Sequence, residues 1–262
     1  MNKGIYFYGV TLDKNWNEYN IPGMDSKNPL YKIQVNKING LASLVSLDEY
    51  GHPAIDKNIE DLNWLKTQAE AHMNILHSMM EYSMIIPMKF CTIFYNNEKI
   101  KNVLEENYDQ FYSALTYLAD KEEWSCKVYL NKKEFTDKYL ENFKKQADVT
   151  PVSKGAAYFK KQKIKSEMKE QIEREIDKLA KVIYNELKQL DINHKLNKNI
   201  EREITSKTEE MILNVSVLLD DKEKEKMINY VNNKNNQIVS DCMYIECIGP
   251  WPPYNFSPSP HT

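Results

Sequence analysis

Glycine is scarce. Only 7 occur in 262 residues, and neither G-x-G-x-x-G nor G-x-x-x-x-G-K-[ST] can be read anywhere, so the usual backbone cradles for dinucleotides and triphosphates are missing. Cysteine is thin as well. Cys91, Cys126, Cys242 and Cys247 form no C-x-x-C pair, which argues against zinc and thioredoxin-like chemistry and leaves reduced, half-buried core thiols as the expectation. Long apolar runs are absent: Met84-Ile85-Ile86-Pro87-Met88 and Val215-Ser216-Val217-Leu218-Leu219 fall far short of the ~20 residues that cross a bilayer. An excess of one charge is also lacking. With 35 basic and 38 acidic residues the net charge is −3, so no global attraction draws the chain to nucleic acid or anionic membrane. The start, Met1-Asn2-Lys3-Gly4-Ile5-Tyr6, has no apolar signal core. The expectations are a cytoplasmic protein with no nucleic-acid partner, no bilayer insertion, no metal and no cofactor.

What is present is enough to fold. Apolar residues make up 42% and aromatics 11%, and the length suits two domains of roughly 100–150 residues each. Gly4 to Val10, Leu30 to Val35 and Leu41 to Leu47 read as strands, with a hairpin placed at Asn39-Gly40. From Ile59 to Ser83 a helical stripe runs through Leu62, Leu65, Ala69, Met73, Leu76 and Met80. Pro87 stops it. Met88 to Phe94 then reads as one strand, Glu98 to Leu118 as a helix, and Glu123 to Leu130 as a strand closing the first half. That order predicts a modified ferredoxin-like antiparallel sheet with helices on one face, over residues 1–131.

The second domain, 132–262, is expected to be α+β as well. A charged helix from Lys132 to Ala147 and a break around Pro151 precede a long amphipathic helix, Ser153 to Leu190, striped by Ile164, Met168, Ile172, Ile176, Leu179, Ile183, Leu187 and Leu190. The basic cluster Lys160, Lys161, Lys163 and Lys165 reads as a solvated helix face. Asn193 to Arg202 reads as further helix, Met211 to Leu219 as a strand with one wet face, Lys222 to Asn233 as helix and Met243 to Ile248 as strand. Three prolines then fix an extended tail, Gly249 to Phe256, whose aromatics are too large to leave wet. Docking of that tail, with Trp251 more than half buried, is the expectation.

Chemistry-bearing residues are few. His72 and His77 lie five apart on one helix, not at the i, i+4 spacing of a metal pair. The neighbouring carboxylates Glu122-Glu123, Glu209-Glu210 and Asp220-Asp221 point to different sides of their elements. An enzyme or nucleotide-binding protein would need a dispersed site around His72, Lys89 and Glu123. No catalytic motif asks for one.

Several segments together resemble the gas vesicle accessory proteins of the F and L type. The carrying residues are Gly4-Ile5-Tyr6-Phe7-Tyr8-Gly9-Val10, Gly40-Leu41-Ala42-Ser43-Leu44-Val45-Ser46, Ala71-His72 with Ile75-Leu76, and Glu123-Trp124-Ser125-Cys126-Lys127-Val128. Ile86 to Phe94 is similar to that family's P-x-R-F-G-T-x-F strand, Gly155-Ala156-Ala157-Tyr158-Phe159 to its G-x-A-Y-L helix start, and Gly249 to Phe256 to its G-P-W-P-P-Y-x-F ending. Lys89 stands where the family usually has Arg, trading a planar fork for a point charge. Cys91 stands where it usually has Gly, which reads as a strand position that tolerates a side chain. The resemblance implies a cytoplasmic, gas vesicle-associated, non-enzymatic assembly protein. Its implied partner is the very hydrophobic shell subunit, met early in vesicle formation, with other vesicle accessory proteins as further candidates and retention as a minor vesicle component as a further expectation. Candidate partner-binding or docking residues are Tyr6, Tyr8, Phe90, Phe94, Trp251, Tyr254 and Phe256. The available apolar surface is expected either at an edge formed by Gly4 to Val10 and Met88 to Phe94, or on the second half or near Pro151.

Overall fold

A computed structural model describes residues 2–12, 21–146, 154–201 and 207–258, without the side chains of 143–146 and 154–166. The break at Pro151, the side chain of Ile164, the lysines at 160, 161, 163 and 165, and the Gly155 to Phe159 motif side chains lie outside what is described. The protein is a mixed α+β chain, with two separate sheets among the described residues. It divides into two compact units, residues 1–123 with 250–262, and residues 124–249.

The first unit is built on β1 (Lys3–Thr11), β2 (Tyr31–Val35), β3 (Ile38–Ser46), β4 (Ile85–Pro87) and β5 (Ile93–Phe94). The order is β2-β3-β1-β4, with β5 also on β1, and β3, β4 and β5 each run antiparallel to β1. β1 is therefore central, not an edge. The Gly4 to Val10 edge expected from the sequence is occupied by β3 on one side and by β4 and β5 on the other. The hairpin also differs from expectation: Val35 pairs with Ile38, so the turn is Asn36-Lys37, with Asn36 at φ 51°. Asn tolerates that left-handed backbone. Gly40 sits inside β3, where a Cβ would come within 3.0 Å of Phe7 and Leu104.

Eight of the nine residues of β1 are buried, a pattern of a strand covered on both faces. Tyr6 and Tyr8 face a core with Leu41, Val45, Leu76 and Met79, while Gly40 turns toward Phe7, Ile100 and Leu104. The cover on the first face is α3 (Leu62–Met80), and α4 (Asn97–Glu106) with α5 (Tyr108–Leu118) packs on the sheet as well. Helices on one face only was the expectation; both faces are covered because β1 and β3 carry apolar or aromatic residues at odd and even positions alike. Short helices α1 (Leu47–Tyr50) and α2 (Ala54–Glu60) lead into α3. The expected single helix from Ile59 is interrupted at Asp61, whose side chain accepts from the backbone N–H groups of Asn63 and Trp64, an N-cap. The stripe is rotated too. Leu62 is 78% exposed, and the buried line is His72, Ile75, Leu76 and Met79.

Met88 to Phe94 is not one strand. β4 and β5 are separated by a turn in which Cys91 has φ 61°, and Met88 N–H donates to the Tyr8 carbonyl while Thr92 N–H donates to the Lys89 carbonyl. The register of β1 against β3 slips between Phe7 and Gly9, a bulge. At Gly9 a Cβ would lie 2.5 Å from the Ile86 carbonyl oxygen, so only glycine permits that approach.

The second unit holds a four-stranded sheet in the order β7-β8-β6-β9, from β6 (Glu122–Leu130), β7 (Asn193–Leu196), β8 (Glu210–Leu219) and β9 (Met243–Trp251). β6 thus belongs to this sheet instead of closing the first, and the final prolines group with the first unit, so the boundaries 1–131 and 132–262 do not match the compact units. Helices α6 (Lys132–Gln146), α7 (Lys154–Gln189) and α8 (Asp221–Ile238) complete it. α7 extends for about 54 Å at 1.5 Å per residue, and Ile172, Ile176, Ile183 and Leu187 enter the core with Val215, Val217 and Leu219. α8 opens with a capping box between Asp220 and Glu223. β8 is buried on both faces, so its expected wet face is dry. Its polar members are paired: Asn197 Nδ2 donates to Ser216 Oγ at 2.9 Å, and Asn214 Nδ2 donates to the Lys198 carbonyl at 2.8 Å. The segment from Asn193 supplies a strand and these partners, not a helix. Cys126 and Cys247, expected as separate thiols, are joined as a disulfide.

Candidate functional site

A hydrogen-bonded network around His72 in the first unit reaches the tail. His72 is carried inward by α3, facing Tyr6 and Tyr8 of β1, with ring centroids 5.6 and 6.1 Å away. Tyr6 Oη lies 3.0 Å from His72 Nδ1, and Cys91 N–H donates to Tyr6 Oη at 2.9 Å. On the other side His72 Nε2 is 2.9 Å from Tyr254 Oη, which donates to the Met88 carbonyl at 3.2 Å. Counting protons fixes the tautomer. Tyr254 spends its proton on Met88, so Nε2 carries the imidazole hydrogen and donates to Tyr254. Nδ1 is then the acceptor for Tyr6, which accepts from Cys91. The chain runs in one direction through neutral groups, each satisfied.

Burial is the main force on the acid–base properties here. It lowers His72 to about 4 and raises Tyr8 and Tyr254 to about 12 and Cys91 to about 11, with Tyr6 pushed higher still. His72 stays neutral near pH 7, as the hydrogen-bond direction demands.

Glu123 holds the next tail residue: Asn255 N–H donates to Oε2 at 2.9 Å and Asn255 Nδ2 to Oε1 at 2.6 Å. The prolines shape the tail for this. Pro252 and Pro253 are buried, and their carbonyls accept from the N–H groups of Tyr254, Phe256 and Ser257, which turns the chain back on itself. Trp251 is more than half buried, as expected, with its ring 5.7 Å from that of His77.

The sequence candidates thus separate. Tyr6 and Tyr8 are fully buried. Tyr6, Tyr254 and Trp251 take part in seating the tail; Phe90 fits between the rings of Trp64 and His72; Phe94 packs edge-on to Phe7; Phe256 is half-buried. Of the dispersed set proposed for an enzyme, His72 and Glu123 both hold tail residues, and Lys89 is exposed with its carbonyl accepting from Thr92. Among the described residues, no group of three His, Cys, Asp or Glu side chains could hold a metal ion.

A second feature went unseen in the sequence. In the second unit, Trp124, Leu219, Met227, Ile228, Val231 and Cys247 line a groove of about 180 Å³ with Lys224 and Asn232 at its polar part. Ile228 is 46% exposed. Sites for drug-sized ligands run to roughly 300–1,000 Å³, so this space suits one or two apolar side chains. The signal was there in part: Met227, Ile228 and Val231 put apolar residues on two adjoining faces of α8, more than one buried stripe needs.

Comparison with known proteins decides what kind of chain carries these features. The family model described as gas vesicle synthesis protein GvpL/GvpF matches residues 4–258. The chain belongs to that family. Gas vesicle protein L of Streptomyces sp. (strain CB03234) is 20% identical over 213 residues, covering 81% of this chain and 77% of the relative. The crystal structure of GvpF from Anabaena sp. PCC7120 superposes with a TM-score of 0.71 at 17% identity, covering 99% of this chain and 98% of the other. That of GvpF from Microcystis aeruginosa gives 0.66 at 16% identity, covering 97% and 98%. The α+β fold is therefore that of the GvpF structures, and membership of the GvpL/GvpF family makes the chain a gas vesicle accessory protein. No helix among the described residues is long and apolar enough to cross a membrane.

Proposed function

We propose that the protein is a non-enzymatic, cytoplasmic assembly factor that covers the hydrophobic gas vesicle shell subunit before it polymerises, and that the groove on α8 makes the contact. A shell that keeps liquid water out needs an apolar inner face, and a free subunit presenting such a face aggregates unless it is held. The observation that carries the reading is the groove beside exposed Ile228, an apolar opening in a chain whose family works on gas vesicles. β1, the alternative edge, is paired on both sides.

Co-expression tests this. With the whole chain present the shell subunit should stay in the soluble fraction, and Ile228→Asp should return it to the pellet while leaving the chain's own melting temperature unchanged. Equal precipitation of the shell subunit with and without the chain would overturn the holding role; retention by the Ile228→Asp variant would move the contact elsewhere.

A further inference from the structure

Cys126 and Cys247 offer chemistry that neither the tail nor shell binding uses. They join β6 to β9 across a sequence separation of 121 residues, with Cα atoms 4.2 Å apart. Three contacts give the register of these strands: Cys126 with Cys247, the stacked rings of Tyr129 and Tyr244, and Asn131 N–H donating to the Cys242 carbonyl at 2.9 Å. As one number rises the other falls, so the pair is antiparallel. Asn131 turns its N–H toward Cys242, so Cys126, five residues earlier and therefore of opposite orientation, turns its backbone N–H and C=O away from β9, the arrangement in which opposite Cα atoms come closest. Ile245, two residues from Cys247, has the same orientation, and its outward N–H and C=O are both taken by the Asn235 side chain, at 2.6 and 2.9 Å. β9 is the last strand of its sheet, fastened by β6 inside, by Asn235 outside and by the disulfide.

The two sulfur-bearing residues are unequally placed. Cys126 is 1% exposed in the core, whereas Cys247 is half-buried and lines the groove with Trp124 and Lys224. Exchange requires in-line approach of a thiolate to one sulfur, so access selects which is attacked. Cys247 is open to the groove, and the Lys224 cation that lines the same groove favours the entry of a thiolate.

We propose that Cys126–Cys247 is a reversible thiol–disulfide exchange site, entered through the groove at Cys247, whose co-reactants are small thiols and their disulfides. In the reducing direction a thiolate bonds to Cys247 Sγ, the protein S–S bond breaks, and its electron pair leaves on Cys126 Sγ, which takes a proton. A second thiolate then attacks the mixed disulfide at the small-molecule sulfur, releasing Cys247 as a thiol and the small molecule as its disulfide. Two protein thiols and one small disulfide result, and oxidation reverses each step. The adduct at Cys247 occupies the groove, and reduction removes one of the three fastenings of β9. The site does not depend on what the groove binds.

The full-length chain is equilibrated in buffers of graded reduced-to-oxidised glutathione, acid-quenched, denatured, alkylated and mapped by mass spectrometry. In oxidising buffer Cys126 and Cys247 should be recovered joined, with Cys91 and Cys242 alkylated. In reducing buffer all four should alkylate and the melting midpoint should fall by about 10 °C, the scale for opening so long a loop. With oxidised glutathione, Cys126→Ser should accumulate the adduct on Cys247, and Cys247→Ser should leave Cys126 unmodified. Should Cys126→Ser fail to fold, the wild-type mixed disulfide trapped at intermediate poise gives the same assignment. Alkylation of both cysteines in oxidising buffer, resistance of the native bond to a small dithiol, or an adduct on Cys126 would each overturn the proposal.

Discussion

His72 shows what a single buried imidazole does when both its nitrogens are engaged. Protonating it would put a second donor against Tyr6 Oη, which already accepts from Cys91 N–H. Folding therefore favours the neutral form, and burial lowers its value from 6.5 to about 4. The unfolded chain binds the proton more readily, so this stability is present in full above pH 6.5, is lost as pH falls toward 4, and levels off below. The difference amounts to about 3 kcal/mol. Urea titrations of wild type and His72→Gln across that window should show the gap between them shrinking as the pH falls; a constant gap would remove His72 as the cause. Cys91 gives a second residue-scale test. Its φ of 61° is costly for an ordinary side chain, by roughly 1–2 kcal/mol, yet its N–H must reach Tyr6. Cys91→Gly should be neutral or stabilising and Cys91→Val destabilising by about 1–2 kcal/mol, measured by chemical denaturation.

Among the elements, the tail and α7 depend on burial in different ways. The tail is held by polar groups in addition to its aromatics: Glu123 accepts two hydrogen bonds from Asn255. Glu123→Ala strands two donors and should cost about 1–3 kcal/mol, with faster proteolytic cleavage beyond Gly249 than in wild type. α7 is held by an apolar stripe, and its placement was legible because Ile172, Ile176, Ile183 and Leu187 repeat at helical spacing whatever they pack on. Replacing Ile172 and Ile176 by Asp puts two unpaired carboxylates in that core, and loss of the cooperative near-ultraviolet signal of the second unit should follow. Elements whose residues serve two neighbours were less legible. The Leu62 stripe on α3 pointed to one face, while His72 follows Tyr6 and Tyr254; the polar Asn214 and Ser216 of β8 looked solvated because their partners, Lys198 and Asn197, come from a segment with no strong periodicity of its own.

For the whole molecule, the first compact unit is discontinuous: residues 1–123 are completed by 250–262. A fragment cut at residue 131, where composition and periodicity place the boundary, lacks Tyr254 and leaves His72 Nε2 and Glu123 without their tail donors and acceptors. Supplying residues 249–258 as a peptide to fragment 1–131 should raise its melting temperature, and should fail to do so when His72 is replaced by Phe; no response to the peptide in either fragment would show that the tail adds nothing to this unit.

Alone, the sequence determined the α+β class, most strands and helices, the long amphipathic α7, the closing aromatic tail and the ordered motifs that mark the family, because each rests on short-range periodicity or on residues adjacent in the chain. Tertiary structure decided that β1 is central, that β6 serves the second sheet, that Cys91 needs a left-handed backbone and that Cys126 meets Cys247. It also turned His72 and Glu123 from candidate catalytic groups into anchors for Tyr254 and Asn255. Each of those outcomes depends on partners tens to hundreds of residues away, and which hydrogen-bonding group or strand edge comes to face a side chain is fixed only when the distant segments pack.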